Sequence, residues 1–507
     1  MTGPSRNLAP SAEHPGVLIS LPQGLGLGGV PTWALTLAQG LASSGWPLAI
    51  VIQGEIWRPE RLRALPPTVH IEAISPADDL ARACARARAA LGPDRDTVAI
   101  ANLTSGSIDA LLAAGAHQPR TASRTRLALW IHNDIEHDYR LAQHYAPVLD
   151  SVVAVSRRIT SELRRRLPDP ALTIDHVPYG VRPAHSPPAP EALDRRAIRL
   201  IYPGRIDRFQ KRVAALINMA DALDERRLPY ELRLIGDGPA AAEIDAALRS
   251  RPRISRTPAL WGDDMLAQLR RAHIFLLPSR FEGLSIAMLE AMGQGLAPVV
   301  TRVASGADEA IEHDISGVLV DPSGSDDAVG RRLALAVQQL AADPARLART
   351  RQHAWARVVN HFTDELHIRR AASALAAAAT RTPRHTRAQA PDPGQAFTVP
   401  HDAPERARRA LESLTGRRVA LWGAGRHTLA VTSALDSAPA HVVALIDDDP
   451  ANHGSRAAGR PVLAPHAALN MGVTDVLISS AIHEPALWER RGELERLGLR
   501  VHRMYAA

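Results

Sequence analysis

Residues 274–300 read IFLLPSRFEGLSIAMLEAMGQGLAPVV. Ile274 to Leu277 is a short apolar run closed by Pro278, the pattern of a buried strand. A turn carrying Glu282 and Gly283 follows. From near Ser285 the chain reads as a helix, with Glu290 in its second turn. The helix gives way to a second apolar strand, Ala297 to Val300. Strand, helix and strand in so short a span imply two parallel strands joined by a crossover helix.

The same alternation extends in both directions. Upstream in this block, strands are expected at Arg199–Tyr202 and Glu231–Ile235, and downstream at Gly317–Val320. A helical stretch, Arg351–Leu375, closes the block. Before it, after a Pro-rich hinge (HVPYGVRPAHSPPAP), lies an earlier block with strands at Val17–Leu21, Leu48–Ile52, Val98–Ala101, Leu127–Ile131 and Val152–Val155. Its first strand runs into a glycine-rich turn (Gly24, Gly26, Gly28, Gly29) and a helix that ends near Gly45. A third, smaller block has strands at Arg418–Trp422, Val442–Ile446, Val476–Ser479 and Val501–Tyr505, and helices at Thr428–Leu435 and Pro485–Leu497. The fold class is α/β: two Rossmann-like domains, plus a third small Rossmann-like domain. The expected divisions are a disordered 1–15, an N-terminal domain 16–182, a second domain 183–354, helices 355–378, a linker 379–403 and an accessory domain 404–507.

Composition limits the function classes. A length of 507 residues suits about three domains. Apolar content of 46% and charged content of 22% exclude wholesale disorder. Cys84 is the only cysteine, which excludes an internal disulfide framework and a cysteine-built zinc site and suggests a reducing compartment. No apolar run approaches the ~18–20 residues of a membrane helix, and the polar, Pro-broken start lacks a signal-peptide core. The expectation is a cytoplasmic enzyme, with peripheral contact to the inner face of a membrane left open. A net charge of +7 favours anionic partners such as phosphates or lipid head groups. Aromatic content of 4% and the lack of a long basic run argue against nucleic acid.

Lys211 is the only lysine among 60 Lys and Arg. Lysine offers a compact rotatable charge where arginine offers a flat fork, so the two are not interchangeable at a tight site. Lys211 lies in YPGRIDRFQKR, where a strand ends at Tyr202 and the chain turns at Pro203-Gly204. Arg205 and Lys211 then follow at the carboxyl edge of the sheet, where open α/β sheets bind ligands. Two cations there suit a diphosphate; the plainer reading is a solvated basic turn. Glu282 and Glu290 flank a helix N-terminus whose free N–H groups and positive dipole end suit phosphate. Gly283 allows close backbone approach.

Taken in order, GR-x5-K, IGDGP (Ile235–Pro239), the segment Ala272–Pro278 and EGLSIAMLE resemble the retaining family 4 glycosyltransferases of GT-B fold. The resemblance spans roughly residues 14–378 and includes AVSRRITSEL and VPYGV. It implies that Arg205 and Lys211 hold a donor diphosphate, that Glu290 binds ribose hydroxyls and that Glu282 touches the donor sugar. Backbone amides of Gly283, Leu284 and Ser285 would join the diphosphate cradle, and Gly28 and Gly29 would let the N-domain close over it. His132, in WIHND, resembles the family histidine facing the reacting sugar carbon. The donor would be a UDP-, GDP- or dTDP-sugar, and the acceptor a glycan or lipid-linked hydroxyl. No metal or other cofactor would be required.

Other motifs compete. Gly24, Gly26 and Gly29 form a G-x-G-x-x-G, but the acidic residue that a dinucleotide site needs after the second strand is only Glu55, out of place. A Schiff-base role for Lys211 has no supporting motif. Asp447-Asp448-Asp449 contains a formal D-x-D. Residues 416–465 resemble the nucleotide-sugar-binding domain that precedes some sugar acetyltransferases, which implies a pocket lined by Gly423, Gly425 and Asp447. Thr428 replaces the third glycine of a dinucleotide fingerprint, and a docking module is the alternative. Two rival functions remain: a nucleotide-sugar-binding scaffold with an idle site, and a GT-B epimerase. The sugar, the base, the acceptor and the oligomeric state are not legible.

Overall fold

The computed structural model describes residues 14–102, 104–116, 124–186, 197–303, 305–384, 402–448, 452–480 and 484–505. The expected disordered N-terminus (but for 14 and 15), most of the expected linker and Asp449 lie outside these residues. The described chain divides into two compact units, the first up to residue 384 apart from 239–242 and 323–328, the second from 402 onward.

The first unit holds two parallel sheets. In sheet one, β1 (Gly16–Leu21), β2 (Leu48–Gln53), β3 (His70–Ile74), β4 (Thr97–Asn102), β5 (Thr125–Ile131), β6 (Ser151–Ala154) and β7 (Thr173–His176) run in the order β3-β2-β1-β4-β5-β6-β7. In sheet two, β8 (Ile198–Pro203), β9 (Tyr230–Ile235), β10 (Ile254–Thr257), β11 (Ile274–Leu277), β12 (Ala297–Thr301) and β13 (Val318–Val320) run β10-β9-β8-β11-β12-β13. Central strands β1, β4 and β5 are buried along their whole length, as parallel strands covered on both faces must be. In each sheet the order reverses beside the first strand, between β1 and β4 and between β8 and β11. Such switch points are where open α/β sheets leave a crevice at their carboxyl ends.

Strands β3, β7 and β10 are absent from the sequence reading. All three sit at sheet edges and are only partly buried; β10, ISRT, has a single buried residue. An edge strand need not be a continuous apolar run. The helical stretch expected at Arg351–Leu375 is two helices, Pro344–His361 and Asp364–Ala379. Thr363 caps the second through Oγ1, which accepts from the Leu366 amide at 3.3 Å. The division expected at residue 355 falls inside the first helix. That helix packs on the half built on sheet two, where Arg351 Nε donates to the Gly295 carbonyl at 2.7 Å. The second packs on the helix Gly29–Ser43 and on β4 and β5, with Ile368 against Gly40.

Residues just past this second helix are anchored. The Arg381 carbonyl accepts from Arg126 Nε at 2.7 Å, and the Arg384 amide donates to buried Asp150 at 2.7 Å. A chain ending at Thr380 loses both contacts. A chain ending at Arg384 is therefore expected to melt several degrees above one ending at Thr380, since a lost hydrogen bond to a buried carboxylate costs about 1–3 kcal/mol. Equal melting temperatures would place the end of the fold upstream of Arg381.

In the second unit, β14 (Arg418–Trp422), β15 (His441–Ile446), β16 (Arg456–Ala457), β17 (Arg460–Leu463), β18 (Asp475–Ile478) and β19 (Arg500–His502) run β16-β17-β15-β14-β18-β19, parallel except for the β16/β17 pair. Its own core gathers Leu411, Val419, Leu421, Leu445, Val462 and Leu477. The helix expected at Thr428–Leu435 is two short ones meeting at Val431, and that expected at Pro485–Leu497 breaks at Arg490–Arg491.

Candidate functional site

The loops beyond β8 and β11 are fastened to each other. Asp207 Oδ1 accepts from the Gln210 amide at 2.7 Å, and the Gln210 carbonyl accepts from the Arg280 amide at 2.8 Å. Phe209 and Phe281 pack edge to face, centroids 5.7 Å apart. Arg212 is buried with φ 55, and its NH1 donates to the Pro322 carbonyl at 2.7 Å. This zipper brings Lys211 Nζ to 2.6 Å from Glu282 Oε1. Ser279 Oγ donates to the same oxygen at 2.6 Å, and Thr301 Oγ1 holds the Ser279 carbonyl at 2.6 Å. Arg205 is exposed on the same loop. Its carbonyl accepts from the Tyr202 hydroxyl at 2.6 Å, and its guanidinium has no ion pair among the described residues.

Ser285 caps the helix Ile286–Gly293, its Oγ accepting from the Met288 amide at 3.3 Å. The first helix of the chain, Gly29–Ser43, starts nearby: a Cβ added at Gly29 would stand 3.7 Å from Ile286 Cδ1. Two helix N-termini, each a positive dipole end, thus converge, that of Ile286–Gly293 lying just past the Glu282 that holds Lys211, an arrangement suited to anions. Gly28 has φ 155, which side chains avoid, and the space around its Cβ position is open apart from Pro31 Cδ at 3.9 Å.

Across the crevice, Asn133 pairs with Gly283 in an antiparallel bridge. A Cβ at Gly283 would stand 2.7 Å from the His132 carbonyl carbon and closer still to its oxygen. Gly283 is therefore required by the close approach of the two halves, a stricter reason than loop freedom.

Glu290 is largely enclosed and makes no side-chain hydrogen bond among the described residues. Burial pushes its carboxyl up to about 7, with the charge of Asp364 adding to the shift. The structure thus does not join Glu290 to the Lys211–Glu282 pair. The pH consequence follows from the sign. A raised carboxyl pKa favours the protonated folded state, so the ionised group burdens stability as pH rises from 4.5 towards 7. In ligand-free protein, Glu290→Gln is expected to flatten the fall in melting temperature between about pH 5 and pH 8. A variant whose melting curve keeps the wild-type pH slope would contradict this.

His132 is 3% exposed. Asn102 Nδ2 donates to the Ser20 carbonyl at 3.0 Å, which turns Asn102 Oδ1 to the imidazole Nε2 at 2.9 Å. Nε2 is therefore the protonated nitrogen, and Nδ1 accepts from the Tyr179 hydroxyl at 2.6 Å. Burial pulls the pKa down to about 3, so the ring is neutral. Both ring nitrogens are hydrogen-bonded to residues of the first half, and the group that meets Gly283 is the His132 backbone carbonyl. Tyr179, Asn102 and Ser279 escaped the sequence reading. Tyr179 lies in VPYGV, read only as a hinge.

In the second unit, Gly423, Gly425 and Asp447 do meet at the carboxyl ends of β14 and β15. Asp447 Oδ2 accepts from the Ala424 amide at 3.1 Å and Oδ1 from Asn452 at 3.2 Å. Asp448 pairs with Arg490 at 2.5 Å, and that guanidinium lies over Trp422. Asp447, the one described carboxylate of the D-x-D, and Asp448 between its two positions are thus both engaged by protein groups. His427 sits between Ser479 Oγ at 3.0 Å and Tyr505 OH at 2.5 Å.

Residues 197–343 match the family model described as Glycosyl transferases group 1. The chain is 34% identical over 108 residues to the putative glycosyltransferase EpsF of Bacillus subtilis, covering 21% of this chain and 28% of that protein. It is 31% identical over 239 residues to the alpha-maltose-1-phosphate synthase of Mycobacterium tuberculosis, covering 42% and 59%. The chain thus spans less than two thirds of either relative. Among solved structures, HepE of Anabaena in complex with UDP and glucose superposes with a TM-score of 0.58 at 16% identity, over 72% of this chain and all of that one. At that identity the likeness concerns the fold: the first unit has the GT-B fold, and the second unit is an additional α/β domain.

Proposed function

We propose that the first unit is a retaining glycosyltransferase that moves a sugar from a nucleoside-diphosphate sugar to a hydroxyl of a glycan or lipid-linked acceptor, in bacterial polysaccharide or glycoconjugate synthesis. The observation that carries this is the convergence of Lys211, Glu282, Arg205 and two helix N-termini at facing switch points. Positive charge is concentrated where a leaving diphosphate would grow negative. Preorganised charge of this kind stabilises a transition state without reorganisation at the moment of reaction.

In this reading Lys211 is oriented by Glu282, so its ammonium is placed before the diphosphate arrives and its two other protons remain for phosphate oxygens. Arg205 supplies a second cation from solvent. The anomeric carbon–oxygen bond breaks with its electron pair leaving on the diphosphate, the acceptor hydroxyl bonds to that carbon from the same face, and its proton passes to the departing phosphate oxygen. The glycosyl transferases group 1 match over the donor half and the UDP complex of a fold neighbour support the nucleotide-sugar donor. Within this reading no metal is required, since the chain's own cations and dipoles supply the charge. No helix among the described residues is long and apolar enough to cross a membrane, and we place the protein in the cytoplasm, with a lipid-linked acceptor met at the inner membrane face.

The second unit is proposed as an accessory nucleotide-sugar pocket at Gly423, Gly425 and Asp447. The donor reading is tested by melting the protein with UDP, GDP and dTDP and their sugars. One nucleotide class should raise the melting temperature, by about 2.7 kcal/mol of linkage at a hundred times its dissociation constant. No shift with any of them would count against a nucleotide-sugar donor.

A further inference from the structure

Arg61 lies in the short helix Pro59–Ala64 beyond β2 and is 3% exposed. A buried guanidinium normally finds an acid or several carbonyls, because an unpaired charge away from water is costly. Two other buried arginines of this unit, Arg88 and Arg126, follow that rule. Arg88 reaches Thr125 and the carbonyls of Gly92, Pro93 and Arg95, and Arg126 pairs with Asp96. Arg61 does not follow it. Among the described residues its guanidinium makes one hydrogen bond, NH1 to the Gly26 carbonyl at a long 3.3 Å, and Nε is enclosed with no acceptor. The charge of Glu60, its neighbour in the chain, acts on it without an ion pair, and its other contacts are aromatic: Trp57, with ring centroid at 5.5 Å, and Trp261 of the half built on the second sheet, at 5.6 Å.

The position of Arg61 explains the missing ion pair. Its single acceptor belongs to the glycine-rich loop at the first switch point. Nothing stands within 4 Å of where a Cβ of Gly26 would be, so the loop borders open space at that point. The cation therefore sits between the two halves of the unit, one residue contact away from the crevice, with donors unspent.

We propose that Arg61 is an oxyanion ligand: with the Gly24–Gly29 loop it takes a phosphate group of a bound substrate on the N-domain side of the cleft, in addition to the charges of Arg205 and Lys211. This rests on the cleft being the substrate site. The phosphate has two sources, a nucleoside diphosphate or a phosphorylated acceptor. Trp57 and Trp261 hold the guanidinium in place and exclude water, which strengthens each charge-assisted bond it makes.

The test is calorimetry and thermal melting of the full chain, wild type against Arg61→Met and Arg61→Lys, with UDP, GDP, inorganic phosphate and glycerol 3-phosphate. Arg61→Met should weaken at least one of these about 10- to 100-fold, and Arg61→Lys less. Loss confined to the nucleotides assigns the donor, and loss confined to glycerol 3-phosphate assigns a phosphorylated acceptor. Ligand-free Arg61→Met should melt close to wild type, because the guanidinium it removes makes no ion pair among the described residues and only one long hydrogen bond. Unchanged affinity for every probe in Arg61→Met overturns the proposal, as does a wild type that binds none of them. If wild type binds no nucleotide but does bind inorganic phosphate or glycerol 3-phosphate through Arg61, the glycosyltransferase reading fails and the oxyanion site stands. Should Arg61→Met not fold, the Arg61→Lys variant and the four probes decide alone, equal affinities again overturning the site.

Discussion

Lys211→Ala is expected to reduce turnover roughly 10²–10³-fold, the effect of removing one preorganised donor from a developing negative charge. It should also lower the melting temperature. Lys211 and Glu282 are 18% and 11% exposed at the side chain, so loss of the ammonium leaves an enclosed carboxylate with only the Ser279 hydroxyl. Breaking an enclosed pair on one side costs up to ~3 kcal/mol. The two effects separate in a double variant. Lys211→Met with Glu282→Gln removes both charges and should recover most of the stability while activity stays low. Lys211→Arg should stay impaired, because a planar fork cannot reproduce a point contact at 2.6 Å. Recovery of activity together with stability in the double variant would show that the pair is structural.

Gly283→Ala should be nearly as damaging, by another route. The added methyl has no room against the His132 carbonyl. The Asn133–Gly283 bridge must then open, and the two halves of the first unit separate at their point of contact. Displacement of reacting groups by about an ångström can cost roughly 10² in rate. The expected signature is a large fall in kcat with nucleotide affinity mostly retained, since Lys211, Glu290 and the helix Ile286–Gly293 stay on the donor half. Wild-type kcat in Gly283→Ala would mean that the bridge is incidental to the chemistry.

What the sequence made legible follows from locality. The donor-half loops could be read because their residues lie in two short segments, YPGRIDRFQKR and RFEGLSIAMLE, each anchored to a strand of continuous apolar residues. Single-face strands such as β10 carry too few apolar residues to announce themselves. His132 was placed at the right strand end, but its chemistry depends on Asn102 and Tyr179, which are 30 and 47 residues away in the chain. No local pattern encodes such a contact. Arg61 was illegible for the same reason. One arginine in a chain with a single lysine carries no signal until the structure reveals that it is buried, flanked by two tryptophans and without an ion pair among the described residues.

The two halves also differ in how far chemistry can be read from them. On the half built on the second sheet, the charge type and spacing of Arg205 and Lys211 suit an anion. On the N-domain half, the described contacts position and enclose: the aromatic group of Trp33, Trp130, His132 and Tyr179 fixes the wall behind the cleft, with Trp33 and His132 centroids 4.6 Å apart. Their conformations depend on one another, so single substitutions there should change packing before they change chemistry.

The most direct measurement is release of nucleoside diphosphate from a panel of UDP-, GDP- and dTDP-sugars, with and without a pool of glycan and lipid-linked acceptors, in wild type and Lys211→Ala. The expected result is diphosphate release from one donor class, stimulated by acceptor, matched by a glycosylated product of retained anomeric configuration and reduced roughly 10²–10³-fold in the variant. Acceptor-independent conversion of the donor sugar would instead indicate an epimerase. No release from any donor by wild-type protein, or release unaffected by loss of Lys211, would contradict a transferase built on this cleft.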